Sequence, residues 1–231
     1  MTPRTKEQNE EIRLRRLAQI RKAAADVFLN KGPLLEIRDV AVQAGLGYGT
    51  VYHYYSNKGD LLHDLLWDAL ERAGEWPEAP RTSALGEELA GGHFDLAAVD
   101  SRSRSHETPA SAELGTVAAA SVRLLQLWAE DHALYLLYKL ALEGFASLPE
   151  ARSTKLTAAF QDEVLAPFAA LVDTGRAADE DAAFGGNAAE QPYRLQRAEM
   201  LVAALVGCAS LSLRRKKLHE EARDIVRFLK L

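Results

Sequence analysis

Apolar side chains recur at spacings of three and four along nearly every long stretch of this chain, and that periodicity leaves an all-helical fold as the one that buries them. Over residues 11–30, Leu14, Leu17, Ile20, Ala24, Val27 and Phe28 share one side of a 3.6-residue repeat, with Arg and Lys between them. Gly32 and Pro33 end that helix. Residues 36–44 make a second, short helix with Ile37, Val40, Ala41 and Ala44 on one side. Gly45 breaks it, because glycine enters the left-handed conformation of a tight turn at little cost. A third short helix runs from about residue 47 to 54. Residues 57–60 break the pattern again, with Asp60 expected to cap a fourth helix that buries Leu61, Leu62, Leu65, Leu66 and Leu70.

The pattern lapses over residues 77–111, where Pro77, Pro80, Gly86, Gly91, Gly92 and Pro109 predict an irregular insert with at most a short helix near residues 85–89. It returns over residues 112–148, long enough for two helices with a bend near Asp131, and continues over 152–172. An acidic Gly/Ala loop is expected over 174–192, followed by helices over 193–216 and 220–229. Alternation of the strand kind is not found. The expected organisation is a three-helix unit over residues 1–60 and a larger helical domain over 61–231.

Charge divides along the same line. The 231 residues carry a net charge of −5, but residues 1–62 hold ten Lys or Arg against seven acids, a balance of +3, and the remainder carries −8. Only the N-terminal part suits a polyanion. The single cysteine, Cys208, allows no intrachain disulfide and no cysteine metal cluster, and is expected as a small buried apolar residue. Residues 1–22 are polar where a secretory signal needs an apolar core, so a cytoplasmic protein is expected. The most apolar run, 198–213, contains Glu199 and falls short of the roughly 20 residues that cross a bilayer, so no membrane partner is expected.

Residues 36–54 have the spacing of a helix-turn-helix: Ala41 is small enough for close helix approach, Gly45 turns the chain, and Val51 anchors the second helix. The run from Ala44 to Leu61, AGLGYGTVYHYYSNKGDL, adds more. Over about residues 12–66 the chain resembles the TetR family of bacterial transcriptional regulators, with Tyr52, Tyr54, Tyr55, Lys58, Asp60 and Leu61 matching or nearly matching that family's pattern. Three positions depart from it. Gly47 stands where Ser or Thr is usual, Tyr55 replaces Phe, and the approach to the second helix is one residue short and lacks the usual Thr or Ser.

The resemblance implies binding to double-stranded DNA at a palindromic operator. It implies that Tyr48, Gly49, Thr50 and His53 face the groove, that Tyr52 and Tyr54 touch phosphates, and that Lys58 pairs with a phosphate. The residue types agree. Gly49 lets the backbone approach DNA, Thr50 offers a hydroxyl or a methyl to a base edge, and Lys58 supplies a point charge. Arg4, Lys6, Arg13, Arg15 and Arg16 form a basic arm ahead of the unit, suited to phosphates or the minor groove or simply to water.

For the second domain the resemblance implies a homodimer whose last two helices pair with their copies, and a pocket for a small-molecule effector of unknown identity. The expected dimer residues are Leu201, Ala204, Leu205, Cys208 and Leu211. The expected pocket residues are Trp67, Trp128, Tyr135, Tyr138, Phe145, Phe160 and Phe168, with Arg123, His132 and Glu143 as polar groups within apolar helices. The expected function is a ligand-responsive repressor that leaves its operator on binding the effector, with no cofactor, no metal and no catalysis. The sequence contains no zinc-binding pair of histidines around a glutamate, no phosphate-cradling glycine loop before a lysine, and no nucleophile elbow. Two other readings stand beside it: a small helical enzyme, and an oligomeric adaptor whose helix-turn-helix no longer reads DNA.

Overall fold

A computed structural model describes residues 6–74, 109–177 and 191–231. Among these it contains ten α-helices and no strand. Helix α1 (Lys6–Lys31) starts five residues earlier than apolar periodicity predicts. Its first turns are held by local ion pairs, Arg13–Glu10 at 2.8 Å and Arg15–Glu11 at 3.2 Å, and Leu14 is exposed rather than buried. Part of the basic arm is thereby neutralised within its own helix; Arg4 lies outside the described residues. The helix ends at Gly32, whose φ of 58° is left-handed, and Pro33 opens a single tight 3-10 turn.

Helix α2 (Ile37–Ala44) compensates for its missing Ser or Thr with a different cap. Glu36 and Asp39 bond each other's backbone reciprocally, and Lys31 pairs with Asp39 at 2.7 Å. Gly45 (φ 63°) then turns the chain, and the Leu46 N–H donates back to the Ala41 carbonyl at 2.9 Å. Helix α3 (Tyr48–Tyr54) follows, then α4 (Lys58–Ala73). Asn57, not Asp60, caps α4: its side chain accepts from the Asp60 N–H at 2.9 Å. The helix begins at Lys58, so Asp60 falls at its third position, and its carboxylate is engaged by Arg152 at 2.8 Å.

The expected break near Asp131 separates α5 (Pro109–Glu130) from α6 (His132–Leu142), with the Asp131 side chain accepting from the Ala133 N–H at 2.9 Å. Helix α7 (Glu150–Phe160) runs through a π-helical turn (Gln161–Leu165) into α8 (Ala166–Ala177). The wide turn stands just before Pro167, which has no N–H to return to the preceding turn and whose ring crowds the carbonyl four residues back. Helices α9 (Gln191–Arg214) and α10 (Leu218–Phe228) complete the fold. Helices α8 and α9 reach into the expected 174–192 loop. Its middle, and nearly all of the expected 77–111 insert, lie outside the described residues.

One apolar core runs through the molecule, from Ile20, Phe28, Val40 and Val51 to Leu136, Phe160, Val202 and Leu205. Helix α4 joins its halves, because it packs on α1 on one side and on α6 on the other. The first three helices are therefore seated on the larger helical region and share its core. Replacing Asn57 with Ala is expected to remove the α4 cap at a cost of about 1 kcal/mol and lower Tm by roughly 2–4 °C, with Asn57→Ser restoring most of it. Thermal unfolding reads this directly, and an unchanged Tm in Asn57→Ala would remove the cap from the account.

Candidate nucleic-acid interface

Helix α3 has one inward residue, Val51, fully buried, with Tyr55 buried just beyond its end. That anchoring turns the remaining positions outward. Tyr48 is 49% and Tyr52 41% exposed, Gly49 and His53 are exposed, and Thr50 and Tyr54 are half-buried at the flanks. The rings of Tyr48 and Tyr52 lie one turn apart with centroids at 4.5 Å, and the neighbouring Tyr48 phenol holds that of Tyr52 above its ordinary pKa. His53 meets the edge of Tyr54 at 5.4 Å. A Cβ built on Gly49 meets nothing within 4 Å, so packing does not demand glycine there. Lys58, at the first position of α4, donates from Nζ to the Pro33 carbonyl at 3.0 Å. The structure thus brings all seven residues singled out for DNA contact onto or beside one outward-facing helix.

Behind that helix lies a polar network that the sequence reading did not assemble. The Tyr55 hydroxyl donates to Asp64, which also accepts from Arg21 Nε at 2.7 Å. Burial and that carboxylate together push the Tyr55 phenol well up. Arg21 and Arg72 both pair with Asp68, and Arg72 continues to Asp131 at 2.8 Å, the residue that caps α6. Beside it His132 Nδ1 stands 2.6 Å from Asp26 of α1. The hydroxyl that distinguishes Tyr55 from Phe is thus the first link in a chain of ion pairs from the end of α3 to the start of α6.

The expected pocket residues are mostly brought together, as a closed cluster. Trp128 meets Tyr135 at 5.8 Å and Tyr138 at 4.9 Å, and Tyr138 and Phe145 both meet Phe160 edge-on. Phe168 is buried too. The void lined by Phe145, Phe160, Leu165 and Val202 measures about 30 Å³, room for one water. Ser121 Oγ, Trp128 Nε1 and Tyr138 Oη are buried without a hydrogen-bond partner, and burial raises the Tyr138 pKa. Trp67 is not in the cluster: it is exposed, with its ring stacked on His63 at 6.0 Å. Arg123 and Glu143 are exposed, and His132 is taken by Asp26.

Helix α9 divides differently from expectation. Leu205 is 0% exposed and packs inward with Val202 and Ala209, so it has no part in an outer face. The outward stripe is Met200, Ala203, Gly207 and Leu211, the last 62% exposed, with Leu201, Ala204 and Cys208 half-buried along its edge. A Cβ on Gly207 meets nothing within 4 Å. By length and composition alone, residues Tyr193–Arg214 would reach across a bilayer, at a mean hydropathy of 1.2. Among the described residues no group of three His, Cys, Asp or Glu side chains is placed to hold a metal ion.

An all-helical body whose first helices carry a turn at Gly45 and an outward-facing helix α3 defines a helix-turn-helix protein. Residues 20–65 match the model of the bacterial regulatory proteins of the tetR family. No curated protein sequence matches the chain. Similar solved structures include the fatty acid degradation regulator FadR from Bacillus halodurans (17% identity, TM-score 0.54, covering 92% of this chain and 93% of that one). The transcriptional regulator FadR from Bacillus subtilis, solved in complex with stearoyl-CoA, is similar at 18% identity and a TM-score of 0.52, covering 92% and 96%. A gamma-butyrolactone receptor described as ArpA-like is similar at 17% and 0.52, covering 95% and 98%. At these identities the likeness is one of fold.

Converting Tyr55 to Phe keeps the buried ring and removes the donor to Asp64. A loss of about 1 kcal/mol in chemical unfolding is expected, because a partly exposed carboxylate recovers some bonding from water. Equal or greater stability in Tyr55→Phe would show the network to be without weight.

Proposed function

We propose that this chain is a dimeric repressor that reads a palindromic DNA operator through α3 and releases it when a small molecule binds the helical domain. The observation that carries the reading is the division of α3: its one apolar residue is spent on anchoring, and tyrosine, glycine, threonine and histidine are left facing out. Those types suit a groove. Tyr48, Gly49, Thr50 and His53 meet base edges, Tyr52 and Tyr54 bond phosphates, and Lys58 exchanges the Pro33 carbonyl for a phosphate oxygen. The excess of basic residues over residues 1–62 favours the same partner.

Two half-sites require two copies. The apolar stripe of α9, with the bare backbone of Gly207 at its centre, supports pairing of α9 and α10 with their equivalents. The aromatic cluster supports the seat of the effector. Ser121, Trp128 and Tyr138 hold unused polar atoms in an apolar surround, which a ligand opening the cluster would satisfy. That fatty-acid and butyrolactone regulators share the fold supports an effector with a large apolar part. The aromatic cluster and the ion-pair chain from Tyr55 to Asp131 meet at the start of α6, so opening the first displaces the second and alters the spacing of the two α3 helices. Residues 1–60 form the reading head in this account, and residues 61–231 the sensor and dimer.

Binding to DNA from upstream of its own gene tests the reading. Tyr48→Ala is expected to lose about 1–3 kcal/mol on the preferred sequence and little on others, whereas Lys58→Ala weakens all sequences alike and makes the salt dependence shallower by about one unit. Sequence preference unaffected by Tyr48→Ala would contradict groove reading by α3. In sedimentation, Gly207→Leu and Leu211→Glu are expected to give folded monomers, since neither side chain enters the core. Intact dimers in both would move the interface off α9.

A further inference from the structure

A second cavity, of about 400 Å³, lies at the joint between the helix-turn-helix unit and the helical domain. Its apolar walls are Phe28 from the end of α1, Leu35 from the turn before α2 and Leu62 from α4; Lys58 and Glu143 supply charge, and Ala146 forms the far side. The volume is that of a site for a molecule of ordinary drug size, and the lining has the usual form of apolar walls with a few polar groups. Lys58 and Glu143 are not paired with each other, so each presents charge to whatever fills the space. One of the three N–H donors of Lys58 is held by Pro33, which leaves two.

The far wall is an unusual piece of backbone. Gly144 (φ 62°) and Phe145 (φ 52°) are both left-handed, a conformation that a bulky residue adopts only where its surroundings impose it. What imposes it is the burial of the Phe145 ring beside Phe160 in the aromatic cluster. The turn from Glu143 to Ser147 therefore has one side chain in that cluster, while Glu143, Ala146 and Ser147 line the joint cavity. Arg152, at the start of α7, clamps the same region to Asp60 in the first turn of α4 at 2.8 Å.

We propose that the joint cavity is a ligand site distinct from the aromatic cluster, taking a mainly apolar molecule with an acid group for Lys58 and an N–H donor for Glu143. Its occupant and a DNA phosphate compete for the same ammonium group, so a ligand here lowers DNA affinity directly. The competition rests on the phosphate role given to Lys58; the site itself does not.

Anilinonaphthalenesulfonate has the required parts in an apolar body, a sulfonate and an anilino N–H, and its fluorescence rises on transfer out of water. Titrated into the full-length protein without DNA, it is expected to show a saturable component. Ala146→Trp, which fills the cavity from an exposed position, abolishes that component, and Lys58→Gln weakens it by about tenfold. Glu71→Gln, on the exposed side of α4, leaves it unchanged. Ser147→Trp fills the same space and replaces Ala146→Trp if the latter melts below wild type. No saturable binding to wild type, or binding unaffected by the tryptophan variants, overturns the site. A second titration, with labelled upstream DNA, is read separately. The probe is expected to weaken DNA binding in wild type and not in Ala146→Trp. Saturable probe binding that leaves DNA affinity untouched keeps the site and overturns the competition. Failure of the wild-type protein to bind DNA at all sinks the functional reading while the first titration still decides the site.

Discussion

A seven-residue helix does not persist in water by itself, because nucleating its first turn costs more than so few hydrogen bonds return. Helix α3 exists because Val51 and Tyr55 are buried at its back. The turn at Gly45 delivers it, Asn57 starts the next helix immediately after it, and α1 and α4 supply the surface it rests on. Every outward side chain of the helix takes its direction from those two buried ones. Glycine at position 47, which provides no side-chain cap, weakens the helix slightly and makes the anchoring matter more.

The same dependence explains why the helix-turn-helix unit has no core of its own separate from the larger region. Helix α4 contributes one face to α1 and another to α6, so residue 60 marks a change of role and not a gap in packing. Polar links repeat the apolar ones. Asp64, Asp68, Arg72 and Asp131 run along the exposed edge of that junction, and the pairing of His132 with Asp26 ties α6 to α1 beside it. Such partly exposed pairs add little to stability one by one. Their consequence is geometric, since they fix the orientation of the unit that carries α3.

What was legible in the sequence was what local chemistry dictates. Gly45, Val51, the break at Asp131 and the order of the helices follow from spacing and from the conformational range of single residues. The cap of α4 was misplaced by three residues because Gly59 obscured a helix start that Asn57 supplies. The inward and outward sides of α9 were harder to separate. Its apolar residues run nearly all round, and only the packing of α6 and α8 against it decides that Leu205 turns in while Leu211 turns out. The aromatic residues were legible as a set, but not their closure into one cluster. The joint cavity was invisible, since its walls come from segments more than 80 residues apart that the fold alone brings together.

The central claim is that two copies of α3 read two matching stretches of one duplex. Hydroxyl-radical footprinting of the protein on its own upstream DNA tests it most directly. The account predicts two protected patches of equal extent on one face of the duplex, related by a two-fold axis, with centres about 34 Å or a multiple apart. A single patch, or protection without that symmetry, would contradict it.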